Sequence, residues 1–156
     1  DAADDDAALG VMIEAASREL EELAALALLT QTIRVHLDGW PSDGVLRLPV
    51  GPVPDGTVPT VTADGQAVAG AVLIAGRRPR LTLAAEAAAE LDDAAVQIDY
   101  TAGFGDTPAD VPADLRHAVM DHGAALYDAR GVQDRRDMTT SPALWRAAAR
   151  WRGVRA

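Results

Sequence analysis

The stretch VQIDYTAGFGDTPADVPADLRHA, residues 96–118, changes period partway along. Val96, Ile98 and Tyr100 alternate with Gln97, Asp99 and Thr101, the two-residue rhythm of a strand with one buried face. Gly103-Phe104-Gly105-Asp106 ends that strand. Pro112 then suits the first turn of a helix. Leu115, Ala118, Val119, His122 and Leu126 fall on one helical face, which predicts a helix over about 112–130, closed by Arg130 and Gly131.

Towards the N-terminus the same change of period runs in reverse. Leu9, Met12, Ile13, Ala16, Leu20, Leu23 and Ala27 follow the 3.6-residue repeat and predict a helix over 4–27 with those residues buried. Asp4, Asp5 and Asp6 stand where acids favour a helix start. Glu14–Arg18 and Arg18–Glu22 are i,i+4 pairs on its solvent side. Ile33, Val35 and Leu37 then alternate with Arg34, His36 and Asp38, a half-buried strand. Prolines at 41, 49, 52, 54 and 59 keep the following strands short or at sheet edges. Val45–Leu48 is one such strand. Val58–Val61 and Val68 flank Asp64-Gly65, a hairpin signal. Ala71–Ile74 and Arg80–Leu83 are two more strand candidates, and alanine-rich 84–93 fits either a short helix or a loop. Beyond 131, Ser141-Pro142 caps and opens a short helix through Arg152, which Gly153 would stop.

The order is helix, β-rich middle, helix, short helix. The expected class is α+β: an N-terminal helix and C-terminal helices packed together, with a small antiparallel β-rich insertion between them. Residues 1–131 form the expected main domain and 132–156 a basic C-terminal arm.

Composition limits function. The chain has 156 residues and is 49% hydrophobic but only 4% aromatic. So alanine-rich a core buries little area per residue, and part of the stability is expected to come from neighbouring subunits. With no cysteine, disulfides and thiolate metal sites are excluded. No apolar run approaches the roughly 20 residues of a membrane span, so no membrane role is expected. The acidic first residues do not read as a signal peptide. The chain does not begin with Met, which leaves the position of the native N-terminus open. The net charge is −10, unevenly spread: 132–156 hold six Arg and two Asp, and the rest holds eight Arg and 22 acids. An acidic body argues against tight wrapping of nucleic acid.

No catalytic or metal constellation is legible, and no cofactor is expected. His117 and His122 are five residues apart, about 140° around a helix, where a zinc pair needs i,i+4 spacing. His122 is expected in a helix interface and His117 in solvent. Ser141 is better explained as a helix cap than as a nucleophile. Gly103-Phe104-Gly105 lacks the third glycine and the following helix of a phosphate loop. The unusual cluster is C-terminal: Leu144, Trp145, Arg146, Arg150, Trp151, Arg152 and Arg155. Trp and Arg are enriched at protein-interface hot spots. Leu144, Ala148 and Trp151 form an apolar row beside Arg146 and Arg150, suited either to packing on the domain or to docking on another subunit.

Tyr100-Thr101-Ala102-Gly103-Phe104-Gly105-Asp106, then Val111-Pro112-Ala113-Asp114-Leu115-Arg116-His117-Ala118, then Tyr127, resembles the head–tail connector (adaptor) proteins of long-tailed phages and gene transfer agents. Upstream, Ala27-Leu28-Leu29-Thr30-Gln31-Thr32, Leu37-Asp38-Gly39-Trp40-Pro41 and Leu46-Arg47-Leu48-Pro49 fit the same pattern. The likeness spans about 9–131 and is weakest over 66–94. It implies a structural, non-catalytic subunit with Tyr100, Gly103, Phe104, Gly105, Pro112, Leu115, Arg116, His117 and Tyr127 as structural motif residues. It also implies a ring, typically of twelve copies, beneath the portal protein. Such a ring extends the DNA channel and carries the next neck, stopper or tail protein. DNA would slide through without specific binding, which an acidic body favours. The expected location is the neck of the particle, after assembly in the host cytoplasm. The resemblance sends the C-terminal segment towards the portal, so deletion of 141–156 is expected to spare the fold and abolish portal attachment. Alternatives are a tail-terminator-like or secretion-system ring subunit, or a small hydrolase with an unrecognised site.

Overall fold

The computed structural model describes residues 2–129 and 139–152. Arg130, Gly131, Gly153 and Arg155, together with residues 132–138, lie outside the described residues. The chain divides into a helical unit, Asp1–Leu28 with Thr107–Ala156, and a β-rich unit, Leu29–Asp106. The α+β class holds, with helices at both ends of the chain and antiparallel sheets between them.

In the helical unit, α1 spans Ala2–Ala24. It stops before the expected Ala27 because Ala25 turns left-handed at φ 55°. The Leu26 N–H then reaches back to the Glu21 carbonyl at 3.0 Å, and the Leu28 N–H to Glu21 Oε1 at 2.8 Å. This is a Schellman-type end that satisfies two groups after the helix. α3 (Ala113–Asp128) follows a single 3₁₀ turn at Pro108–Asp110, which Thr107 and Asp110 cap reciprocally. α4 spans Pro142–Trp151 and packs on both α1 and α3. Its core is small-residue rich: Ala16, Leu20, Ala24, Leu115, Ala118, Leu144, Ala147 and Ala148 are buried. Gly123 of α3 lets Ile13 approach to 3.5 Å from where a Cβ would stand.

One expectation needs correction here. Leu9 and Ile13, read as buried, are each 39% exposed, and Met12 and Leu23 are only half-buried. Helical period identifies which residues share a face, not whether that face is covered along its length. Thr140, just before the ten-residue α4, is tied to Glu19 of α1, and the fully buried positions of α1 are Ala16, Leu20 and Ala24. Leu126, read as part of the buried face of α3, is likewise half-buried.

In the β-rich unit, β1 (Gln31–Asp38), β7 (Ala95–Ala102), β3 (Thr60–Ala63) and β4 (Gln66–Ala67) form an antiparallel sheet in the order β1-β7-β3-β4. The strand of the opening stretch, β7, is thus interior, and Val96, Ile98, Tyr100 and Ala102 are buried. Register sets Arg34 opposite Asp99, and the guanidinium holds that carboxylate bidentately at 2.7 and 2.9 Å. This hydrogen-bonded pair keeps Asp99 below the usual carboxylate range. The β3–β4 turn places Asp64 and Gly65 at φ 48° and 80°, the left-handed pair a tight hairpin needs. A second sheet has the order β2-β6-β5, from β2 (Val45–Arg47), β5 (Val72–Ile74) and β6 (Arg80–Thr82). The ambiguous alanine-rich segment forms a short helix, α2 (Ala85–Ala89). Trp40 is buried, and its indole N–H has no acceptor among the described residues.

Candidate docking site on the C-terminal helix

The α4 helix begins at a cap. Ser141 adopts an extended backbone, its Oγ accepts from the Leu144 N–H at 3.2 Å, and Pro142 takes the first helical position. Upstream of the cap lies a polar latch. His122 Nδ1 accepts from the Ser141 N–H at 3.3 Å, so Nε2 carries the hydrogen and donates to Glu19 Oε2 at 2.8 Å. The other Glu19 oxygen accepts from the Thr140 hydroxyl. Three segments far apart in sequence are tied through one imidazole. The ring itself is 2% exposed, in the interface the sequence suggested, and His117 is exposed.

The far end of α4 is tied to the start of α3. The Trp151 indole N–H donates to Asp114 Oδ2 at 2.9 Å, and Arg150 reaches the same oxygen at 3.3 Å. The Trp151 hydrogen bond is the main reason the Asp114 carboxyl sits below the usual carboxylate range. A carboxyl depressed in the folded state stabilises above its unfolded pKa, about 3.9, and loses that contribution as pH falls through the lower folded value. Asp114→Asn is therefore expected to flatten the acid limb of stability against pH below about pH 4. Urea titrations of both chains at matched pH would check this. Parallel acid limbs would count against it.

These ties sort the C-terminal residues. Leu144 is wholly buried, with Ala147 and Ala148, and Trp151 is half-buried against Asp114. The apolar row of α4 is thus part of the core of its own unit. Removing 141–156 would take Leu144 from that core, which corrects the expectation that truncation spares the fold. The outward face carries Trp145, 54% exposed, with exposed Arg146, Arg150 and Arg152. Trp145 and Arg152 are seven residues apart and share a helical face. The arrangement presents one aromatic plate among guanidinium groups to solvent, suited to protein recognition.

The motif residues are placed structurally. In the β-rich unit, the Tyr100 hydroxyl donates to the Val50 carbonyl at 3.0 Å and accepts from the Val50 N–H at 3.1 Å. Burial pushes this hydroxyl up to about 12. Gly103 is buried at φ 135°, the Gly105 carbonyl accepts from the Thr30 N–H, and Phe104 is half-buried. In the helical unit, Pro112 caps α3 and Leu115 is buried. Arg116 is exposed, and the Tyr127 hydroxyl donates to Asp5 at 3.0 Å. The sequence reading missed Glu19 and Thr140. Only the buried His122 hinted that a distant partner existed. No grouping of three or more metal-ligating side chains occurs among the described residues, and none of their helices is long and apolar enough to cross a membrane.

No protein-family model matches the chain, and no curated protein matches it. Solved structures do. A chain of the virion of a native gene transfer agent particle matches at 29% identity, covering 97% of this chain and 79% of that one, with TM-score 0.78. A chain from the neck of an empty gene transfer agent particle, computed with C6 symmetry, matches at 31% identity over 100% and 82%, TM-score 0.76. A third, from the neck of the native particle computed with C12 symmetry, matches at 30% identity over 96% and 84%, TM-score 0.74. Matched at 30–31% identity over 96–100% of its own length to chains of those necks, this chain belongs to the family of gene transfer agent neck proteins.

Proposed function

We propose that this chain is a head–tail adaptor: a non-catalytic subunit that rings the DNA channel beneath the portal of a phage-like particle and joins head to tail. The observation that carries this reading is the whole-length match to neck chains whose particles were computed with C6 and C12 symmetry. Twelve copies is the stoichiometry consistent with both. An acidic chain, at −10, suits a channel wall past which DNA slides without a deep binding minimum. The segment from Ser141 onward is the portal-directed one, with Trp145, Arg146 and Arg152 on the outward face of α4 as the contact. Leu144, Trp151 and the Arg150–Asp114 pair hold that face in position.

Mass photometry of the chain with portal is expected to show a dodecameric ring seated on it. A chain that forms no ring, with or without portal, would overturn the adaptor reading. Trp145→Ala with Arg152→Ala is expected to leave folding unchanged and weaken portal attachment by about 2 kcal/mol, roughly 30-fold, as for an interface hot spot. Wild-type attachment by that variant would remove α4 from the contact.

A further inference from the structure

Two large apolar side chains of the helical unit stand in solvent on neighbouring helices. Val11 of α1 is 60% exposed and Met120 of α3 66%. Each lies on the outward face of its helix, away from the buried rows of Ala16 and Leu20 on α1 and Leu115 and Ala118 on α3. Around Val11, the residues Ala7, Gly10 and Glu14 complete an i, i+3, i+4, i+7 set. Those four positions form a hole for one side chain of a facing helix. All four are exposed. Gly10 is not required by the packing of its own chain, because a Cβ there would meet nothing within 4 Å. Glycine weakens a helix interior relative to alanine. Its missing side chain instead suits a body that comes close from outside. Charge marks the same face. Arg18 donates to Glu14 Oε1 at 2.6 Å, and no described residue takes Oε2. Arg116, one turn before Met120, is exposed, and no described residue pairs with it.

Ring geometry sets the direction in which these two faces can meet. Within one chain α1 and α3 are antiparallel: Asp5, Ile13 and Glu19 of α1 meet Tyr127, Gly123 and His122 of α3. In a twelvefold ring the next copy is turned by only about 30°. Its α3 therefore also runs antiparallel to this α1. With Met120 seated in the hole around Val11, that direction carries Arg116 towards Glu14. Resting on the ring reading above, we infer that Met120 of each copy inserts between Ala7, Gly10, Val11 and Glu14 on α1 of the adjacent copy, with Arg116 on Glu14. The two faces differ, so the contact is heterologous, the kind that closes a ring. It would alternate α1 and α3 around the circumference.

The chain has no cysteine, so introduced cysteines are clean probes. Gly10→Cys and Met120→Cys full-length chains would be mixed under conditions where wild type forms rings, then treated with a mild oxidant. A disulfide-linked dimer is expected from the mixture and from neither variant alone, since the bond forms only at short range. One chain carrying both substitutions is expected to give a covalent ladder of multimers. Links within a single variant, or none while rings are present, would overturn the inference. Independently, Gly10→Phe fills the hole without touching its own chain. It is expected to lower the ring fraction by about tenfold or more at equal concentration. Its circular dichroism should match wild type and its urea midpoint should not fall. Rings that persist at the wild-type level would overturn the contact. Intact rings that no longer seat on portal would assign the face to the portal and overturn it too. A wild type that forms no ring at all would take down the adaptor reading, and this contact with it.

Discussion

A Gly103→Ala chain is expected to lose about 4 kcal/mol of folding stability, at the upper end of single-substitution effects. Gly103 lies at φ 135°, a backbone conformation that residues with a side chain rarely adopt. A Cβ there would stand 2.6 Å from the Leu29 carbonyl carbon and oxygen and from the Thr30 nitrogen. Those atoms are backbone, and no rotamer change can move them. Thr30 is also held from the far side of this turn, because its N–H donates to the Gly105 carbonyl at 2.9 Å. The strained φ and the backbone clash therefore act together. A domain this size has about 5–15 kcal/mol in total, so the variant should unfold at much lower urea and collect in the insoluble fraction. A urea midpoint equivalent to a loss of less than about 1 kcal/mol would show that this turn relaxes freely.

The second large effect is expected at His122. Replacing it with leucine keeps an apolar body in the interface but leaves the Ser141 N–H without its acceptor and Glu19 Oε2 without its donor. The cost is expected to be about 3 kcal/mol, most of it from the buried backbone N–H at the entrance to α4. Glu19 is partly open to water and can be rehydrated. A double-mutant cycle isolates the latch. His122→Leu combined with Glu19→Leu should be less destabilised than the sum of the single variants by about 1 kcal/mol or more. Additive losses, read by urea unfolding of all four chains, would mean that the two groups do not act as a unit.

Both positions show how far the sequence could be followed. Gly103 stood out as a strand exit because glycine between Ala102 and Phe104 interrupts an alternating pattern. That its missing side chain makes room for residues 29 and 30 was not visible, since the crowding atoms are backbone and carry no sequence signal. His122 was assigned to a helix interface from its place on the apolar face of 112–130, and it is there. Its partner is 103 positions away in sequence, and Glu19 looks like any solvent acid on α1. The same limit applied to the C-terminal helix. Leu144, Trp145, Arg146, Arg150, Trp151 and Arg152 formed one cluster in sequence, and the fold divides them into an inward and an outward set.

The sequence by itself determined the types of the main helices and strands, though not of 84–93, and with them the hairpin at Asp64-Gly65, the cap at Ser141-Pro142 and the net acidity. Each follows from local periodicity, from backbone preferences of single residues or from counting charges, none of which needs a distant partner. Tertiary structure decided that β7 is interior, that β1 pairs with it across more than fifty intervening residues, and that among its described residues α1 is fully buried only from Ala16 onward. It also decided which C-terminal side chains face solvent. The physical reason is the same in each case: burial is a property of two surfaces, and only one of them is written in any local stretch of chain.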